Sequence, residues 1–195
     1  MECAGTDTRL ETVGRISLEH VATAVRKLRL MDMPQKTAII DEIYLKQPNL
    51  LASCVVQRKL GADEQTVELL LNLLLTCYVA MGESGFEWPL ISETDQQREL
   101  QRTVGAVLFS EQLADPTAAD AARAQYVDTH PEQPLLALVM TECNAWMKDL
   151  AQRNAEKESD KYVMMASVNL VNCIAHSTAR RRSVSREHRG RHERS

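Results

Sequence analysis

The sequence predicts an all-α protein, a single-domain bundle of about eight helices, and three observations carry that prediction. Seven glycines and six prolines in 195 residues leave few turn signals. Between them Ala, Leu, Gln, Glu, Arg and Met, the better helix formers, fill most of the chain. Apolar residues recur at three- and four-residue spacing in segment after segment. The length suffices for one well-buried core and is short for two. A composition of 44% hydrophobic and 26% charged residues is ordinary for a globular chain.

Residues 1–15 lack periodicity and are expected to be a flexible N-terminus ahead of a helical domain at 16–178. Ser17 is a natural N-cap for a first helix with Leu18, Val21, Ala22, Val25 and Leu28 at helical spacing. Asp32, with Pro34 just inside the start and Gln35 three residues on, opens a second helix carrying Ile39, Ile40, Ile43 and Tyr44. Pro48 begins a third that runs through Leu60 and is stopped by Gly61. Asp63 caps a fourth, to about Met81, containing LLLNLLLTCYVAM. That 13-residue apolar stretch is shorter than the ~20 residues of a membrane span, so a buried helix and no membrane span are expected.

GESGFEWPLIS, 82–92, reads as a connector, and it holds two of the chain's four Phe and Trp residues, Phe86 and Trp88. Ser92 and Asp95 have capping-box spacing and open a fifth helix to about Leu113, placing Leu100, Val104, Val107 and Leu108 on one face. Asp115 and Pro116 start an alanine-rich sixth helix ending before Pro131. Leu135, Leu138, Val139, Glu142, Cys143, Trp146 and Leu150 mark a seventh. Ser159 caps an eighth bearing Tyr162, Met165, Ala166, Leu170, Cys173 and Ile174.

QPNLLASCVV at 47–56 is echoed by QPLLALVM at 133–140. Neighbouring landmarks repeat at offsets of 82 to 85: Pro34 with Pro116, Tyr44 with Tyr126, Leu50 with Leu135, and YVAM at 78–81 with YVMM at 162–165. Two readings stand. Either 34–81 and 116–165 are duplicated helical halves joined through 82–92, or amphipathic helices simply reuse Leu, Ala and Pro for packing and capping.

Charge is uneven. The tail 179–195 holds seven Arg against Glu187 and Glu193, a net +5, while the other 178 residues carry 16 basic and 25 acidic groups, a net −9. A charge run without aromatics is expected to be disordered, and Arg180, Arg181, Arg182 and Arg186 have phosphate- and nucleic-acid-binding composition.

Five scattered cysteines with no C-x-x-C pair and an opening without an apolar core point to a reducing, cytoplasmic setting. Nucleotide-loop, dinucleotide, zincin and nucleophile-elbow motifs are absent, as are paired E-x-x-H sequences, so no cofactor, metal site or catalytic residue is expected. Cys173 and His176 share a helix face, where thiol and imidazole could bind a metal or form a nucleophile and base pair; the plainer reading is a small core residue and a helix-terminal cation. Asp41 and Glu42 point about 100° apart, which suits a solvated face. Asn72, Asn169 and Asn172 interrupt apolar faces and need partners if buried, as amides that set helix register do.

The leading expectation is a non-enzymatic interaction or adaptor protein, binding another protein or itself through helix faces and the Phe86/Trp88 loop. Alternatively, that loop is a plug folded back on the core. A second expectation is a nucleic-acid-associated regulator using the Arg-rich tail. A third is a small-ligand binder or helical enzyme with a pocket between the halves lined by Tyr44, Tyr78, Tyr126 and Tyr162.

Overall fold

A computed structural model describes residues 14–112, 115–155, 157 and 159–181. Residues 1–13 and 182–195, on which the expectations of a flexible N-terminus and a disordered tail largely fall, lie outside the described residues, as do Arg182 and Arg186.

The described residues form an all-α bundle of eight helices: α1 Leu18–Leu30, α2 Met33–Lys46, α3 Pro48–Val55, α4 Glu64–Glu83, α5 Glu93–Gln112, α6 Pro116–Asp128, α7 Gln133–Gln152 and α8 Asp160–His176. Local chemistry sets most starts. Ser17 and Asp32 make full capping boxes with His20 and Gln35, and Asp63 accepts from the Thr66 N–H at 2.9 Å. At α5 the Ser92 hydroxyl and the Asp95 carboxylate satisfy each other's backbone N–H groups at 3.1 Å; the Ser92 hydroxyl, donating to the carboxylate at 2.7 Å, and then the Ser92 N–H and Arg98 hold the Asp95 carboxyl below its usual range. After α3 the chain tightens into a 3-10 helix, Val56–Leu60, and stops at Gly61 in the left-handed region, φ 98°. Ser159, expected to cap α8, makes no side-chain cap bond. Asp160, the first helical residue, instead reaches back and accepts from the Lys157 N–H at 2.7 Å, which ties the preceding turn to the helix start.

The core gathers around α4, whose Leu70, Leu73, Leu74, Leu75, Cys77, Ala80 and Met81 are buried. It packs on α1, α3 and α8, while α5 lies along α8 and α6 touches only α5 and α7 among the stronger helix pairs. Each fully buried leucine contributes about 1.5–3 kcal/mol. By length and composition α4 could cross a membrane, but here its apolar side chains fill the bundle's interior.

Three helix faces differ from the periodic reading. In α1 the core takes Val21, Ala24 and Leu28, while Leu18 is 71% exposed and Ala22 is also exposed. Ile16, just before the cap, is fully buried in the staple position opposite Val21 and occupies the place that Leu18 was expected to fill. In α2 only Ile43 is buried and Tyr44 is exposed. In α5, of the expected core face, Leu100, Val107 and Leu108 are exposed and Val104 is half-buried.

One β element was not foreseen: Phe86–Glu87 (β1) pairs antiparallel with Arg180–Arg181 (β2), setting Phe86 opposite Arg181 and Glu87 opposite Arg180. The connector is thereby tied to the start of the basic tail. Pro34, Pro48, Pro116 and Pro134 each sit in the first turn of their helix. YVAM lies in the last two turns of α4 and YVMM in the first two turns of α8.

Candidate functional site

The C-terminal half of α5 carries six consecutive residues, Val104–Gly105–Ala106–Val107–Leu108–Phe109, with no charged or hydrogen-bonding side chain. At 3.6 residues per turn they cover the helix all the way round. A helix apolar on every side is normally buried. Here Val104 is half-buried and the other five are exposed, Leu108 by 51% and Phe109 by 61%. α6, packed beside α5, is alanine-rich and among its described side chains buries only Ala119, so this helix pair has little interior of its own. Above Gly105 the space is open: a β-carbon built there meets nothing within 4 Å.

Beneath this apolar surface a polar network locks α5 and the α6–α7 junction to α8. The Thr103 hydroxyl donates to the Glu99 carbonyl at 2.9 Å and accepts from the Asn172 amide nitrogen at 2.8 Å. That fixes the Asn172 amide, whose oxygen accepts from the Tyr126 hydroxyl at 2.8 Å and meets His130 Nε2 at 2.9 Å. His130 Nδ1 accepts from the Glu132 N–H at 3.1 Å, so the proton sits on Nε2 and the ring is neutral. Burial, the dominant influence, pushes the His130 pKa down and that of Tyr126 up.

Glu99 is 1% exposed and is collared by nitrogen groups: Arg102 reaches both its oxygens at 3.0 Å, Arg98 Nε one oxygen at 3.1 Å, and His176 Nδ1 lies 3.1 Å from the other. His176 Nδ1 also faces the Asn172 carbonyl at 3.0 Å; two acceptors require that this nitrogen carry a proton. Removing one member of such a set leaves a buried group unpaired, which makes the platform rigid.

A second buried carboxylate, Glu132, accepts from Arg15 Nε and the Ile16 N–H, each at 2.9 Å. The same arginine donates to the last carbonyls of α8, at Ile174, Ala175 and Ser177, and so caps that helix from outside. Gly14 makes the close passage possible: a β-carbon there would fall 2.6 Å from the Pro131 carbonyl oxygen.

Trp88 is half-buried; its indole N–H donates to the Met81 carbonyl at 3.0 Å, and the Arg15 guanidinium stands 4.7 Å from its ring centroid. Phe86, also half-buried, tilts against it at 6.4 Å. Of the four tyrosines, Tyr126 belongs to the network and Tyr78 lines a surface hollow beside Trp88. Tyr44 is exposed, and Tyr162, exposed as well, has Lys161 over its ring at 5.3 Å. Asn169 donates to the Gln96 carbonyl at 3.2 Å, Asn72 is exposed, and Glu42 pairs with Lys46 in solvent. Cys173 is buried with its thiol pushed up to about 12, while His176 turns to Glu99, so the two are not a nucleophile and base. Cys54 and Cys77 are likewise pushed up to about 12 by burial, and no metal-binding cluster occurs among the described residues.

Glu99, Thr103, His130, Glu132 and Arg15 were not singled out by sequence. The local signals were the His130-Pro131-Glu132 break between two helices and a charge-free run on an otherwise polar helix. No family model, curated protein or solved structure matches this chain.

Proposed function

We propose that this is a helical interaction protein whose α5–α6 hairpin is a docking element, and that its occupant is the same hairpin of a second copy. The supporting observation is the exposed run 104–109, apolar on every side and held on a rigid polar foundation. Covering such a surface removes apolar area from water and is favourable.

A second copy fits by shape. With two α5 helices antiparallel and crossing between Ala106 and Val107, the helix face of Gly105 and Leu108 forms the seam, with Val104 and Phe109 flanking it on either side. Gly105 then faces Leu108 of the other copy, and the open space above the glycine receives the leucine. Two-fold symmetry makes every contact twice. The small apolar area places the association at the low end of specific interfaces, with Kd on the order of micromolar.

Leu108→Glu tests the proposal. Position 108 is exposed and glutamate is a good helix former, so the fold is retained. Sedimentation is expected to give a species of one chain for the variant and of two for the parent. Equal association of both would overturn the proposal.

A further inference from the structure

A second surface carries an independent inference. A hollow of about 350 Å³ opens between α2, the end of α4 and the 82–92 connector, lined among others by Glu42, Lys46, Tyr78, Glu83, Glu87 and Trp88. Its lining carries three carboxylates against one ammonium, with Lys27 reaching Glu83 and Arg180 opposite Glu87 at the edge, beside an indole whose ring already takes the guanidinium of Arg15. Arginine side chains suit such a lining, since guanidinium pairs with carboxylate in two parallel hydrogen bonds and stacks on aromatic rings.

The chain supplies such arginines next to the hollow. β2 runs antiparallel to β1 with Arg180 opposite Glu87 and Arg181 opposite Phe86, so the described chain ends at Arg181 beside the connector whose Glu83, Glu87 and Trp88 line the hollow. Beyond Arg181 lie 14 residues, 182–195, with five Arg against two Glu. At ~3.3 Å per residue they reach about 46 Å, well beyond what the hollow requires. Glu42 and Glu83 each hold a lysine, Lys46 and Lys27, at 2.6 Å, but both pairs are solvent-exposed and such pairs exchange at little cost. We infer that segment 182–195 of this chain occupies the acidic Trp88 hollow, its arginines on Glu87, Glu83 and Glu42. The tail is then an internal ligand that masks this hollow, and its own arginines are withheld from other anions.

Trp88 reports the state directly once Trp146, the other of two tryptophans, is replaced by phenylalanine. In that background, acrylamide quenching of Trp88 is compared between the full chain and a chain ending at Arg181, with circular dichroism confirming the fold of each. Truncation is expected to raise the quenching constant at least two-fold. High salt should bring the full chain to the truncated value, and a synthetic 182–195 peptide should restore protection to the truncated chain. The variant Glu87→Lys, at an exposed site, should lose most of the protection in the full chain. Quenching unchanged by truncation, or peptide protection undiminished in Glu87→Lys, would overturn the inference. So would RNA bound through the tail with Trp88 equally protected.

Discussion

Replacing Gly105 with leucine separates a shaped interface from simple stickiness. In the single chain the substitution is free of clashes, because a β-carbon at 105 meets nothing within 4 Å. It also removes a glycine from the interior of an exposed helix, which is worth about 0.8 kcal/mol. For a domain of this size that raises Tm by ~2–3 °C in dilute solution. In the proposed pair, position 105 faces Leu108 of the other copy in two symmetry-related places. Overfilling a packed site costs about 1–3 kcal/mol, so two such sites weaken association by at least ~2 kcal/mol, or about 30-fold in Kd. The assays are thermal unfolding at low concentration and sedimentation velocity across a concentration series. The expected outcome is a monomer that is more stable and a dimer that is weaker. If the leucine variant associates as tightly as the parent or more tightly, the Gly105–Leu108 register is refuted and undirected apolar contact takes its place.

Other expectations follow from the buried groups. Glu132→Gln leaves Arg15 without its carboxylate partner and is expected to cost about 3 kcal/mol, read as a lowered denaturant midpoint with unchanged slope; a loss below ~0.5 kcal/mol would contradict the role given to that bond. His130 is buried neutral with its pKa lowered, so the unfolded chain takes up a proton that the folded chain refuses. Stability is therefore expected to fall as pH drops below about 6.5, and a His130→Gln variant should flatten that part of the profile. Cys54, Cys77 and Cys173, pushed up to about 12, should resist alkylation at pH 8 in the folded protein and react only on unfolding, in a background where Cys3 is replaced by serine. For the same reason stability should decline as pH rises past the ordinary thiol range.

Helix starts were legible because a cap is written within four residues: Ser17, Asp32, Asp63 and Ser92 each bond a backbone N–H three positions on. Which face of a helix is buried is not written locally. Leu18 and Ile16 are both apolar beside the same cap, and only packing against the rest of the bundle decides that Ile16 goes in. The row Leu100, Val104, Val107 and Leu108 has the spacing of a core stripe, but α8 meets the polar side of α5 through Glu99 and Thr103, leaving the apolar row exposed. Asn172 stood out as an amide in an apolar face, and its need for partners was sound. The partners themselves, Thr103, Tyr126 and His130, come from up to 69 residues away and left no local trace. Trp88 likewise stood out as a rare aromatic, while the arginine that covers it, Arg15, sits in a segment without periodicity.

The central claim is that the 104–109 run is covered by another copy of itself, and sedimentation equilibrium of the intact chain beside Leu108→Glu tests it most directly. The parent is expected to move from one chain to two over micromolar concentrations, and the variant, with the same circular dichroism, to stay at one chain throughout. A parent that remains a single chain at tens of micromolar, or a variant that dimerises as the parent does, would contradict it.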